Sequence, residues 1–330
     1  MIILLILLFI LYYVSCITVR NNKINYIVIF IFVFLSICIR SFTPLIENAD
    51  YNTYLRFVDT GELSELSFGS LFSEPYFFIV VLSIKDMVGD TAGSLNFYYI
   101  INFIISTIFF IWIIRLKDIQ TFSKVLLFSL YYFLFAYTTV RNSPAYILVG
   151  VLYYFLHRKK IFKLGYLSFL AHLSSVPAVL FSLFRVDKVS KTVLIGSVIM
   201  FPLFFILINL PFLNLSDKLT QYEEATEYGV STFHKIYFIV MILVTIFLYF
   251  KNKALVYNNV YILNFVMYLM LYSISGVMAF RYSIYFIMFL LFAPSMTKLG
   301  KMKFYNSLSL IAVIYFIYSY IANHPNINIL

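Results

Sequence analysis

Residues 95–114 read LNFYYIINFIISTIFFIWII, an apolar run without a charge. A helix needs roughly 20 such residues to cross a bilayer, where no water is present to satisfy an open backbone. The same kind of run recurs on both sides of it. Ten stretches qualify as crossings: 1–19, 24–39, 95–114, 122–140, 144–156, 192–213, 234–250, 257–277, 281–296 and 304–321. Across the chain 63% of residues are hydrophobic and 12% are charged, whereas a soluble domain carries about a quarter charged residues. A soluble protein is excluded. A β-barrel is excluded too, because its strands would alternate over about 10 residues each. The expected fold is all-α, a polytopic integral membrane protein with a single membrane-embedded domain over residues 1–330.

The formal charge of +10 would suggest nucleic acid in a soluble chain, but here basic loops orient the spans, so no nucleic acid partner is expected. The basic loops at 20–23, 115–124, 157–163, 185–191, 251–253 and 298–303 are placed in the cytoplasm. Every acid except Asp118 and Asp187 then falls outside. This parity forbids two apolar segments from being full crossings. Residues 76–90, carrying Lys85 and Asp86, suit an amphipathic helix on the outer interface. Residues 164–184, interrupted by His172 to Pro177, suit a broken re-entrant helix pair whose freed backbone faces protein or water. Residues 40–75 and 214–233 form long outer loops, and both termini face outward. Met1 to Val19 reads as a retained first span. Cys16 and Cys38 lie in apolar helices, with no disulfide expected.

No cytoplasmic loop could hold a nucleotide-binding domain, and neither GxxxxGK[ST] nor GxGxxG occurs. The driving energy must come from an activated lipid-borne substrate or an ion gradient. The informative charges are those at outer span ends, where positive charge is disfavoured. In the stretch Thr139 to Pro144, Ser143 can cap the next helix, whose positive end would open beside Arg141 as an anion site. Arg281, followed by Tyr282, begins a span at the same level. A guanidinium pair binds phosphate oxygens bidentately and stays charged at any relevant pH. The alternative is snorkelling to lipid headgroups. His172 at the turn of the broken pair could donate to a phosphate or move a proton, or be a packed core histidine. His157 beside Arg158 reads as part of the orientation signal.

The first outer loop runs from Arg40 through Asp50, Tyr51 and Tyr54 to Glu74 and Pro75. Asp50 could take the proton of a sugar hydroxyl, with tyrosines available to stack on pyranose rings, although acid-rich outer loops are often merely solvated. No His, Cys and carboxylate cluster has metal-ligand spacing, so no metal and no cofactor are expected. Asp50, Arg141, His172 and Arg281 are the candidate catalytic residues. Arg40, Tyr51, Tyr54, Glu74, Ser143, Ser174, Tyr222 and Tyr282 are the candidate substrate contacts.

An Asp-Tyr-x-x-Tyr at Asp50 to Tyr54 is followed by Glu74-Pro75, Arg141 after a Tyr-rich helix, Ala171-His172-x-Ser174, and Arg281-Tyr282. This series resembles the EpsG/Wzy group of O-antigen and exopolysaccharide polymerases over residues 40–285. Asn48-Ala49 stands where the group often has Gly-Thr, and Asn142 where it has Gln. The outer carboxylate followed by an interfacial helix is also similar to the GT-C arrangement of membrane glycosyltransferases. The resemblance implies an enzyme of the bacterial inner membrane that moves a growing glycan from undecaprenyl pyrophosphate onto the non-reducing end of an incoming lipid-linked repeat unit, on the periplasmic face. Its partners would be undecaprenyl-pyrophosphate-linked glycans, membrane lipids and a chain-length regulator. The competing readings are a lipid-linked oligosaccharide flippase or secondary transporter, and an O-antigen ligase or acyltransferase.

Overall fold

A computed structural model describes residues 1–45, 51–59, 75–184, 186, 188–208, 232–294 and 309–323. Among these the secondary structure is helical apart from an isolated antiparallel bridge between Lys188 and Asn258. The longer helices begin with α1 (Ile2–Ile17), α2 (Asn22–Phe42), α3 (Tyr51–Asp59), α4 (Pro75–Val88), α5 (Thr91–Arg115), α6 (Thr121–Phe133) and α7 (Ser143–Leu156). They continue with α8 (Val176–Ser182), α9 (Lys191–Ile208), α10 (Thr232–Lys251), α11 (Asn259–Ile274), α12 (Gly276–Leu291) and α13 (Ala312–Asn323). Five helical stretches among the described residues are long and apolar enough to cross a membrane: Ile2–Arg20, Asn22–Phe42, Thr91–Arg115, Thr121–Thr138 and His234–Lys251. Several others, including α7, α11 and α12, are apolar but shorter.

Small polar residues between the apolar runs set where helices start. Asp90 accepts from the backbone N–H groups of Ala92 at 3.2 Å and Gly93 at 2.7 Å, and Asn258 accepts from Tyr261 at 2.9 Å. Polar residues inside the spans turn back on their own helix. The side chains of Ser36, Asn102, Ser129 and Asn264 each donate at 2.8 Å to the carbonyl four residues earlier. That bond spares the polar group an unsatisfied position in hydrocarbon.

The chain divides into two compact units. One comprises residues 1–148, 167–173 and 296–330. Its centre is aromatic: Tyr12 of α1 stacks on Phe128 of α6 at 3.9 Å, and Phe128 lies 4.9 Å from Phe316 of α13. A second cluster joins Tyr51, Tyr54 and Val58 of α3 to Phe77 and Val81 of α4 and to Tyr98 of α5. The other unit comprises residues 149–166 and 174–295. Asn264 fastens it, its Oδ1 accepting from the hydroxyls of Tyr153 at 3.0 Å and Tyr282 at 2.8 Å. In this unit only 11% of the apolar window of α10 is buried, so most of that helix presents side chains outward.

The segment expected to lie on the interface is α4, whose 14 residues are too short to cross. Phe77, Val81 and Leu82 are buried while Met87 is 86% exposed, and Gly89, at φ +72°, ends the helix in the left-handed region that glycine favours. The break at 164–184 is present. A short helix Ser168–Ala171 stops at His172, whose backbone is extended, and α8 begins at Val176 with Pro177 in its first turn. One boundary differs from expectation. The loop between the two late spans lies at Ser275, whose hydroxyl accepts from Met278 N–H at 3.5 Å, so α12 starts at Gly276 and Arg281 lies inside it. A capping serine followed by glycine outweighs the charge as the boundary signal.

Candidate functional site

Within the first unit, α3 is held at both ends. The Tyr51 hydroxyl donates to Asn96 Oδ1 at 2.9 Å, and Lys85 Nζ donates to the last carbonyls of α3, Val58 at 2.8 Å and Asp59 at 3.3 Å. A lysine at the negative end of a helix satisfies carbonyls that have no intrahelical partner. Burial, together with the nearby charge of Asp90, pushes the Tyr51 phenol above its ordinary pKa. Tyr51 and Tyr54 are 7% and 3% exposed, so they form the wall of the cluster and are not displayed as platforms for sugar rings.

Arg141 is half-buried in the turn beyond α6, and its guanidinium carbon lies 5.0 Å from the centre of the Tyr54 ring. The turn is prepared by a π-helical stretch, Leu134–Thr138, after which the Thr139 N–H and hydroxyl both bond the Leu134 carbonyl, at 2.7 and 2.9 Å. Thr139 O then accepts from the N–H groups of Asn142 and Ser143, each at 3.0 Å. Ser143 does not cap α7 through its side chain as expected. Its buried hydroxyl donates backward to Val140 O at 3.0 Å, because α7 already includes Ser143 as its first residue.

Arg40, in the last turn of α2, lies over two tyrosine rings, at 5.0 Å from Tyr137 and 5.9 Å from Tyr99. Tyr99 in turn lies 5.9 Å from Tyr51. Arg40 and Arg141 therefore both border aromatic residues of the α3 and α5 region. His172 is half-buried at the helix break and belongs to the same unit. Arg281, Tyr282 and Ser174 belong to the other unit. There Ser174 Oγ bonds Tyr285 OH at 3.0 Å, and Tyr282 is committed to Asn264 as part of the buried network. Asp50, Glu74 and Tyr222 lie outside the described residues. Among the described residues no three His, Cys, Asp or Glu side chains group as metal ligands would.

The basic loop begins at His157 as expected, since α7 ends at Leu156. His157 is a structural group: its Nε2 lies 2.8 Å from Phe289 O, an acceptor only, so Nε2 carries the proton. Burial lowers its pKa to about 4, with Arg158 adding to that and the Phe289 bond opposing it. Arg158 lies 3.5 Å over the Tyr154 ring and donates to Tyr154 O at 2.6 Å. The four-residue spacing of Tyr154 and Arg158 on a helix is the signal that could have found this pair.

Consecutive apolar helices, self-satisfied polar side chains and a helix broken at a histidine define an all-α polytopic membrane protein. The EpsG family model matches residues 46–329, and the chain belongs to the EpsG family, a membership that supports a polysaccharide polymerase-like role. No curated protein and no solved structure matches the chain.

Proposed function

We propose that this protein polymerises lipid-linked glycan repeat units, as one membrane-embedded domain. A growing glycan passes from undecaprenyl pyrophosphate to the non-reducing end of an incoming repeat unit on the outer face of the bacterial inner membrane. The acceptor hydroxyl oxygen bonds the anomeric carbon of the donor, the bond from that carbon to phosphate oxygen breaks, and undecaprenyl pyrophosphate departs with the electron pair. Asp50 takes the hydroxyl proton. Arg141 and His172 stabilise the departing anion, and Arg40 and Glu74 contact the substrates. The family match over residues 46–329 carries this reading. The placing of Arg141 against Tyr54 supports it, because a guanidinium held by a ring face is preorganised for charge that develops only during reaction.

Deletion of the gene followed by glycan electrophoresis tests the proposal. A product bearing one repeat unit supports a polymerase. Complete loss of attached glycan would instead indicate a ligase or flippase, and a normal ladder with altered decoration an acyltransferase.

A further inference from the structure

Arg40 has an unusual environment for a cation at the end of a membrane helix. Its side chain makes no hydrogen bond or ion pair with the described residues, and its Nη2 is enclosed without an acceptor among them. Its neighbours are ring faces, Tyr99 and Tyr137. The C-terminus of α2 favours a positive charge there, yet that field gives Nη2 no acceptor among the described residues. A charge removed from water needs a counter-charge, and quadrupolar ring faces supply only part of one.

A second feature concerns how Tyr137 reaches this place. It lies in the π-helical stretch Leu134–Thr138, which adds a residue to the helical turn and so rotates the chain beyond it. Such insertions are rare and concentrate at functional sites. Tyr137 is buried, and its hydroxyl reaches Ser36 O on α2 at 3.5 Å, which fixes the ring against the helix that carries Arg40. Nearby, Thr43 Oγ1 and Tyr320 OH hydrogen-bond at 2.8 Å, closing the end of α2 against α13. The guanidinium is thus oriented by its surroundings, while the side chain as a whole remains only half-buried.

We infer that Arg40, framed by Tyr99 and Tyr137, is a receptor for a phosphate group carried by a lipid. Planar guanidinium matches phosphate oxygens bidentately, and the ring faces hold it without neutralising it. The phosphate belongs either to the polyprenyl pyrophosphate of a substrate or to an anionic phospholipid headgroup. The first source rests on the polymerase reading, which requires two pyrophosphate-bearing lipids at once and therefore more cations than a leaving group alone would need.

The test is binding to the purified full-length protein in neutral detergent, with undecaprenyl pyrophosphate, phosphatidylglycerol and uncharged undecaprenol as probes. Arg40→Gln should weaken binding of a phosphate-bearing probe by at least about tenfold and leave undecaprenol unaffected. Loss confined to undecaprenyl pyrophosphate identifies the carrier lipid, and equal loss for phosphatidylglycerol identifies the headgroup. Unchanged affinity for both phosphate-bearing probes overturns the inference. If Arg40→Gln does not accumulate, Arg40→Lys gives the measurement: several-fold weaker binding supports a bidentate contact, and wild-type affinity overturns it. Failure of the deletion experiment would remove the polymerase reading while leaving this binding result intact.

Discussion

The Arg141 guanidinium is 5.0 Å from the centre of the Tyr54 ring, so a residue of α3 orients a cation that arises more than eighty positions later in the chain. Orientation and charge make separable contributions to a site of this kind. Arg141→Ala should abolish long-chain glycan while the protein still accumulates in the membrane. Removing one charge-stabilising donor costs roughly 2.7 to 4 kcal/mol, or about 100- to 1,000-fold in rate. Tyr54→Phe, which keeps the ring face, should retain most activity, and Tyr54→Leu should lower it. Glycan ladders from complemented deletion strains check all three.

Asp90 and Gly93 form a matched cap at the start of α5. A Cβ built on Gly93 would lie 2.6 Å from Asp90 Oδ2, so Gly93→Ala should push the carboxylate away and lose the 2.7 Å bond to the Gly93 N–H. The expected cost is about 1 kcal/mol, similar to Asp90→Ala. In the double variant the two costs should not add, since alanine without the carboxylate is a better helix former than glycine. Thermal unfolding of the four proteins in detergent gives the cycle.

His157 makes stability depend on pH. Its folded pKa of about 4 lies below the ordinary value of 6.5, so the folded state resists protonation more than the unfolded chain does. Stability is complete above pH 6.5 and falls as the pH drops toward 4. The loss is on the order of 3 kcal/mol at the acid end. His157→Gln should flatten this part of the stability profile, read from unfolding midpoints across that acidic range.

Asn264 accepts two buried tyrosine hydroxyls, from Tyr153 and Tyr282. Asn264→Leu should strand the Tyr282 hydroxyl and leave Tyr153 only the Ala178 carbonyl at 3.4 Å, at a cost on the order of 2 to 3 kcal/mol, whereas Tyr282→Phe removes one donor and should cost about 1 kcal/mol. Unfolding midpoints distinguish the two, and similar values for both variants would show that the network carries little energy.

The apolar runs make the helical class and the approximate spans legible, because bilayer crossing leaves a continuous signature. The break at His172 is legible for the same reason, as polar residues and a proline interrupt one run. Packing is not. Tyr51 and Tyr54 read as exposed aromatics in an outer loop, yet α3 turns both into the core, and only tertiary contact with α4 and α5 decides that. Ser143 reads as a cap because Ser-Pro often is one. A turn closed through Thr139 O already satisfies the first N–H groups, leaving the hydroxyl free to donate backward. His157 lies at the start of its basic loop as the sequence suggests, but its ring contact with Phe289 of α12 at 4.3 Å depends on tertiary packing that no neighbouring residue announces.

Reconstitution is the decisive experiment on whether this chain alone joins repeat units. Purified protein is supplied only with undecaprenyl-pyrophosphate-linked repeat units, and the products are separated by size. A ladder of glycans is expected from the wild-type protein and unreacted single units from Arg141→Ala. Absence of any ladder from folded wild-type protein, or an unchanged ladder from Arg141→Ala, would refute a polymerase that works through Arg141.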